Sequence, residues 1–394
     1  MEILSEKTLV MILCGGKGER LYPLTRDRAK PSVPFLGSYR IIDFSLSNSL
    51  NSGLRKIALL TQYKSLSLER HMLHGWNIFH PESLGFIISL PAQGRVGDRW
   101  YEGTADAVFQ NIYTIQQENP EVVLVLSGDH VYKADYRKIL QFFREKDADA
   151  VIMAKLVSRK EAVRFGVVGV HEENRIVEFL EKPKRPPVAP WDSQNSLISM
   201  GVYLFRTPIL IKALMQDAKN PKSTHDFGKD ILPRLIQENR IYAYLFEGYW
   251  EDIGTIEAYW KANMSFLSST PPFLLQDNLW PIRTYKSQYP PSYIMKSTIN
   301  NSIISSGCFI YDANLRSSIV SPGVKIGESS LIQDAIIFEG VEIGKGAKLR
   351  RVIVDKFSLI PDKFEIGYDD QLDIKNFKIS REGIRIVPKN WRLE

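Results

Sequence analysis

After Ser297 the sequence repeats itself. Gly307, Gly323 and Gly340 are spaced by 16 and 17 residues, and the apolar pairs Ile303-Ile304, Ile319-Val320, Ile336-Ile337 and Ile353-Val354 recur at the same interval. VKIGES (Val324 to Ser329) and VEIGKG (Val341 to Gly346) are copies of one hexapeptide. About three hexapeptides per turn stack each apolar position on its own copy in the next coil, which predicts a parallel β-helix. An ordinary antiparallel sandwich is the alternative. A solenoid of this kind has exposed ends and flat faces, which favours packing between subunits.

The rest of the chain follows a different rule. At 394 residues the protein is too long for one compact core and suits two domains. From Thr8 to about Thr270, apolar strands alternate with amphipathic helices, as in an α/β domain with a mostly parallel sheet. Strands are predicted at Val10 to Cys14, Ile57 to Thr61, Val122 to Leu126, Ala150 to Val157, Val167 to Val170, Ile176 to Phe179, Gly201 to Phe205 and Tyr242 to Phe246. Helices are predicted at Leu66 to Leu73, Gly103 to Gln117, Ala134 to Lys146, Phe227 to Glu238 and Thr255 to Leu267. Pro271, Pro272, Pro281, Pro290 and Pro291 then punctuate an irregular stretch. The expected division is 1–267, a connection at 268–297 that lies on the first domain's surface through Phe273, Leu279, Trp280, Tyr285 and Tyr293, and 298–394.

Chemistry is concentrated in VMILCGGKGERLYPLTRDRAKPSVPF, Val10 to Phe35. A buried strand breaks into Gly15, Gly16 and Gly18, continues through Arg20 and reaches Lys30 on a proline-flanked turn. Glycines directly after a strand let the backbone approach a bulky anion, and their N–H groups can point at phosphate oxygens. Arg20 and Lys30 add charge at two further points, as a polyphosphate needs. The segment is no P-loop, because no Lys-Ser or Lys-Thr follows at the required spacing. The dinucleotide fingerprint also fails, since Leu21 stands where its third glycine belongs. The residues together read as a nucleotide-triphosphate site, the alternative being glycines that only make a turn.

Asp129 follows the apolar strand Val122 to Leu126, at the sheet end where ligands bind in open α/β folds. A carboxylate there, beside a triphosphate, is placed to hold Mg²⁺, and Asp252 in YWEDIGT is a second candidate. Either residue alone is equally a solvated turn or helix-cap aspartate. Lys182 in FLEKP suits a phosphate monoester and Glu181 suits sugar hydroxyls, the alternative being a surface lysine beside a turn. No Ser-His-Asp or Cys-His arrangement is evident. A transfer between phosphate groups needs none, because a phosphate nucleophile is already ionised and catalysis is positioning plus charge neutralisation. His130 is expected to support the site from behind.

A net charge of +6 fits small acidic substrates and is too weak to argue for nucleic acid. Cys14 and Cys308 lie in unlike contexts and form neither a disulfide framework nor a metal motif. MEILSEKTLVMILCGG lacks the basic start and cleavage site of a signal peptide, and no apolar run reaches the ~20 residues of a membrane span. The expected location is the cytoplasm, with no membrane partner.

LCGGKGERLYPLT with RAKPSVPF resembles the N-terminal signature of sugar-1-phosphate nucleotidylyltransferases. YRIIDFSLSNSLNSG, LTQY, WYEGTADAV, SGDHVYKADY, FGV, FLEKP, SMGVYLF, HDFGKDILP, YWEDIGTIEAYWKAN, WPIRTY and EGIRIVPK extend the likeness to one branch, the bacterial glucose-1-phosphate adenylyltransferases. The resemblance implies a Rossmann-like nucleotidyltransferase domain followed by a left-handed parallel β-helix that serves oligomerisation and allosteric regulation. It implies adenylyl transfer from ATP to glucose 1-phosphate, giving ADP-glucose for glycogen or another α-glucan. Leu13, Gly15, Gly16, Gly18, Arg20, Lys30 and Gly128 would bind the nucleotide, and Tyr101, Gly166, Glu181, Lys182 and Ser199 the sugar phosphate. Asp129 and Asp252 would hold Mg²⁺, with Arg20, Lys30, Asp129 and Lys182 as the catalytic set. The family implies a homotetramer tuned by metabolites near the cleft between its domains. Asp27, just before RAKP, departs from the base that activated members often carry there, which leaves the effector open.

Three rivals stand beside this reading. The same fold can act on UTP or dTTP, which the long YRIIDFSLSNSLNSG and HDFGKDILP blocks oppose. A β-helix acyltransferase would need a base, and none of the six histidines lies beyond His225. A regulatory subunit would have lost phosphate or metal ligands, whereas Arg20, Lys30, Asp129, Lys182 and Asp252 are all present.

Overall fold

The computed structural model describes residues 4–80, 82–92 and 100–393. Residues 1–3, on which the signal-peptide argument partly draws, lie outside them. The catalytic-side domain is built on strands β1 (Thr8–Cys14), β2 (Lys56–Thr61), β3 (Phe86–Pro91), β4 (Val122–Ser127), β5 (His130–Tyr132) and β6 (Ala150–Ser158). Strands β7 (Gly166–Val170), β8 (Ile176–Glu181), β9 (Asn195–Arg206), β10 (Ile241–Leu245) and β11 (Trp250–Asp252) complete it. The main sheet runs β8-β7-β9-β4-β1-β2-β3, with β6 and β10 joined through β9. Strands β1 to β4, β6, β7 and β10 run one way, and only β8 and β9 oppose them.

The apolar sequence of β1 explains its central place. Val10 faces Ile57 on one side and Leu124 on the other, and Ile12 faces Leu59 and Leu126, all fully buried. Strands buried on both faces read as continuous hydrophobic runs because helices cover each side. The C-terminal ends of β1 and β4 therefore lie together, and the loops after them face one cleft.

Some elements differ from the sequence reading. The predicted helix over Gly103 to Gln117 is two helices, Thr104–Phe109 and Ile112–Glu118. At the break Asn111 turns its amide to Ala107 O (2.8 Å) and to the Tyr101 hydroxyl (3.0 Å). Strand β3 and the helices Ile42–Asn51 and Thr207–Ala218 have no counterpart in that reading. Strand β9 begins at Asn195, well before the predicted start at Gly201, because it pairs with β6 from Asn195↔Ser158 onward. Asp252 lies within β11, antiparallel to β5.

The second domain is a parallel coil, as the repeat dictates. Ile294, Ile310, Ile326, Ile343 and Ile360 form one ladder. A second runs Ile299, Leu315, Ile332, Leu349 and Ile366, and a third runs Ile303, Ile319, Ile336, Ile353 and Ile386. Lys296, Asp312, Ser329, Gly346 and Lys363 stand at one corner of successive coils, and all have positive φ. The connection packs on the first domain through Phe273, whose ring lies 4.9 Å from Phe266, and through Trp280, whose Nε1 donates to Asn48 Oδ1 (3.2 Å). Leu279, expected to join them, is 93% exposed. One apolar cluster spans both domains and includes Leu21, Leu24, Val131, Ile253, Ile336 and Ile353. Among the described residues no helix is long and apolar enough to cross a membrane, and Cys14 and Cys308 are both free and buried.

Candidate active site

The glycine loop is shaped to return the chain toward the sheet. Gly18 has φ +66°, and a Cβ there would stand 2.9 Å from Thr25 Cγ2. Its carbonyl accepts the Thr25 hydroxyl (2.8 Å) and it precedes a short helical turn, Glu19–Leu21. Leu21 is buried as the anchor, and a second short turn, Lys30–Ser32, follows. Lys30, 8% exposed, thereby reaches back under the cleft.

Lys30 Nζ lies 2.6 Å from Asp129 Oδ2 and 3.2 Å from Asp252 Oδ1. Burial alone would raise the Asp129 carboxyl, but the adjacent Lys30 ammonium, with smaller help from His130 and Ser127, holds it well below the usual carboxylate range. Burial pulls the Lys30 ammonium down, and Asp129 and Asp252 outweigh it, so its pKa is raised. His130 Nε2 stands 3.4 Å from Asp129 Oδ1 and 3.9 Å from Asp252 Oδ1. The His130 ring meets Trp250 edge-on at 5.1 Å, and its buried Nδ1 has no hydrogen-bond partner among the described residues. Donor atoms of Asp129, His130 and Asp252 all lie within 4.8 Å of one another. Two hard carboxylate oxygens at that spacing suit a divalent cation of the Mg²⁺ type.

Two cavities meet here, and Ser127 lines both. The first, about 310 Å³, is lined by Leu13, Gly15, Gly16, Gln62, Tyr101 and Asp226, with Asp129 at its edge. The second, about 260 Å³, carries Arg20, Arg164, Gly166, Glu181, Lys182 and Ser199, with Asp252 and Glu251 at its edge. Lys182 sits in the left-handed region at φ +49°, where a non-glycine residue is strained. That conformation turns Lys182 into the cavity beside Glu181, whose Oε1 lies 2.5 Å from its Nζ. Gly166 is required because Phe179 Cζ lies 2.5 Å from where its Cβ would be. Burial pushes the Tyr203 hydroxyl far up, and it accepts from Ser199 (3.3 Å).

Three residues stand elsewhere than the sequence reading has them. Arg20, expected with the nucleotide, lines the second cavity with Glu181 and Lys182. Tyr101 lies across the carboxylates from Glu181 and Lys182, against Gly15 in the first cavity. Its N–H is bound to Gln62 Oε1 (2.7 Å) and its hydroxyl to Leu90 O (3.0 Å). Gly128 is buried, with its N–H donated to Leu13 O (3.0 Å) and its Cβ position only 2.8 Å from Cys14 Sγ. It serves close packing of β1 against the Asp129 turn rather than offering a free donor. Gln62, Arg164, Asp226 and Glu251 are site residues to which the sequence reading gives no role. Each sits in or beside a motif quoted there (LTQY, FGV, HDFG, YWED), so the signal was position within a block, not residue type.

A third cavity, about 330 Å³, lies between the domains and is lined by Arg40, His71, Lys286, Ser321, Glu339 and Lys356. Burial lowers the Lys356 ammonium despite its 2.6 Å pair with Glu339, and burial likewise lowers Arg40. His71 is fixed by Asp43, with Nε2 2.5 Å from Oδ1.

The geometry defines a nucleotidyl-transfer class of site, and comparison with known proteins agrees. A family model described as nucleotidyl transferase matches residues 9–269, and a GlmU-like C-terminal hexapeptide model matches 292–387. The chain is 46% identical over 402 aligned positions to glucose-1-phosphate adenylyltransferase 2 of Vibrio cholerae, covering 98% of this chain and 99% of that one. It is 43% identical to the Koribacter versatilis glucose-1-phosphate adenylyltransferase (98% and 96% covered) and 44% identical to that of Methylobacillus flagellatus (98% and 94%). The chain belongs to the glucose-1-phosphate adenylyltransferase family of nucleotidyl transferases.

Proposed function

We propose that this protein transfers the adenylyl group of ATP to α-D-glucose 1-phosphate, giving ADP-glucose and pyrophosphate for α-glucan synthesis. The observation that carries the reading is the Lys30 ammonium bridging Asp129 and Asp252 where two cavities of unlike character meet. ATP lies on the Leu13, Gly15, Gly16 side with its phosphates over Gly18, Arg20 and Lys30, and Tyr101 walls that side. The sugar phosphate lies on the other, its phosphate on Lys182 and Arg164 and its hydroxyls on Glu181, Gly166 and Ser199. A phosphate oxygen of the sugar attacks the ATP α-phosphorus, the bond to the β-phosphate oxygen breaks, and pyrophosphate leaves. Asp129 and Asp252 would hold Mg²⁺, which would neutralise phosphate charge when bound. Lys30, held beside that carboxylate pair, meets phosphate oxygens from there, and Arg20 stabilises charge on the leaving group. His130 keeps the two carboxylates oriented.

The cavity between the domains suits an anionic metabolite, with Arg40, Lys286 and Lys356 as partners, and the protein works as a cytoplasmic homotetramer whose effectors bind there. The deciding assay is pyrophosphate release from purified protein with Mg²⁺ and glucose 1-phosphate, comparing ATP, UTP, dTTP and GTP. Release with ATP alone is expected. Release with another nucleotide overturns the nucleotide assignment, and silence with all four, effectors included, overturns the activity.

A further inference from the structure

The loop that carries Arg20 and Lys30 does not stand on its own domain alone. Lys378 Nζ donates to Tyr22 O (2.8 Å) and Arg26 Nη2 donates to Lys389 O (3.1 Å). Just beyond them Arg28 makes a two-pronged pair with Asp355, Nη2 to Oδ1 at 2.8 Å and Nη1 to Oδ2 at 3.1 Å. The side chains of that pair are 4% and 2% exposed. Leu21 and Leu24 of the same loop share one apolar cluster with Ile336, Ile353 and Ile386 of the β-helix. Val131 and Ile253, each beside a residue of the carboxylate site, belong to that cluster too. One residue separates Arg28 from Lys30: Ala29, which is buried and donates its N–H to Lys64 O (3.2 Å).

A fully buried ion pair is weak evidence for stability, because desolvation offsets its Coulomb attraction. A planar guanidinium locked onto both carboxylate oxygens, however, fixes distance and angle together. Catalysis by positioning is sensitive to such control, since a reacting group misplaced by about 1 Å can lose on the order of a hundredfold in rate.

We propose that the β-helix domain is a working part of the phosphate site, with Arg28 and Asp355 as positioning residues that hold Lys30 in line with Asp129 and Asp252. This rests on Lys30 being the phosphate-site lysine. It gives the second domain a role in each turnover that neither subunit packing nor effector binding requires.

Asp355→Asn tests it, because the amide keeps the shape and one oxygen but removes the charge and one prong. The expected result is a fall in kcat of about tenfold or more, with KM for glucose 1-phosphate within about twofold, measured well below the melting temperature of the variant. Asp355→Glu is expected to recover most of the lost kcat. A lowered melting temperature with unchanged kcat would make the pair a structural tie only and overturn the proposal. If Asp355→Asn does not fold, the exposed pair of pins decides. Arg26→Ala with Lys378→Met is expected to lower kcat about two- to threefold, and an unchanged kcat there overturns the proposal. Lys30→Met separates the two levels of the argument. Full turnover in that variant removes the foundation, whereas a dead Lys30→Met beside a normal Asp355→Asn rejects the positioning role alone.

Discussion

The two cavities that meet at the carboxylates are made of different material. The first is walled by Leu13, the glycine loop, Gln62 and Tyr101, whose polar groups are largely spent on each other: Tyr101 N–H on Gln62, its hydroxyl on Leu90 O. The second presents Arg20, Arg164, Glu181, Lys182 and Glu251, with the Lys182 side chain 60% exposed. One side is therefore suited to read its ligand by shape and backbone, and the other by charge. A flat, weakly polar group fits the first, and a phosphate monoester bearing hydroxyls fits the second. The carboxylate pair belongs to both, which is where a reaction between the two ligands must occur.

The comparison breaks most sharply at its shared element. Asp129→Asn is expected to lower kcat by roughly a thousandfold with the fold retained, because it deletes a charge from the cation site. Near-normal turnover in a variant with an unchanged circular dichroism spectrum would take Asp129 out of the mechanism. Next, Lys182→Ala should raise KM for glucose 1-phosphate by about 30- to 150-fold, the worth of one charge-assisted contact of ~2–3 kcal/mol. KM for ATP should stay within about twofold, and an equal rise in both would abolish the division of labour between the cavities.

A smaller effect sharpens the same comparison from the other side. Tyr101→Phe removes a hydroxyl that ties the wall of the first cavity to Leu90 and Asn111. A rise of about three- to tenfold in KM for ATP is expected, with KM for glucose 1-phosphate unchanged. The reverse pattern would return Tyr101 to the sugar phosphate, as the sequence resemblance has it.

The smallest effect is on pH dependence of stability. Burial would raise the Asp129 carboxyl, but Lys30 outweighs it and holds it below its ordinary 3.8. A carboxyl lowered in the folded state contributes stability that is full above the unfolded value and lost as pH falls through the folded one. Burial lowers the Lys30 ammonium, but Asp129 and Asp252 raise it above its ordinary 10.5, so its contribution is full below that value and lost as pH rises past the folded one. The pair should thus be intact from about pH 4 to about pH 10. Melting temperature is expected to be flat across that span and to drop below about pH 4, less steeply in Asp129→Asn. Identical acid limbs would mean that the Lys30–Asp129 pair adds nothing to folding.

The two domains differ in how much of them could be read in advance. In the β-helix each residue packs on its own counterpart 16 or 17 positions away, so Ile303, Ile319, Ile336 and Ile353 announce their ladder in the sequence itself. In the α/β domain the neighbours are remote, and β9 pairs with β4 and β6 over separations no periodicity records. The helix over Gly103 to Gln117 has a continuous apolar face, yet it breaks at Gln110 and Asn111 because Asn111 is needed against Tyr101.

The sequence by itself determined the parts whose physics is local. It set the coil of hexapeptides, the apolar run of β1, the glycine loop behind it, and the lysine and aspartates that the chemistry requires. Only the tertiary structure decided which side of the carboxylates Tyr101 would wall, that Gly128 would be spent on Cys14, and that Asp226 and Arg164 would face the cavities. It also decided that Arg28, two residues before Lys30, would be gripped by Asp355 more than three hundred residues away, |i−j| = 327. Backbone preferences act over a few residues, whereas orientation in a cleft is settled by whatever the fold brings opposite.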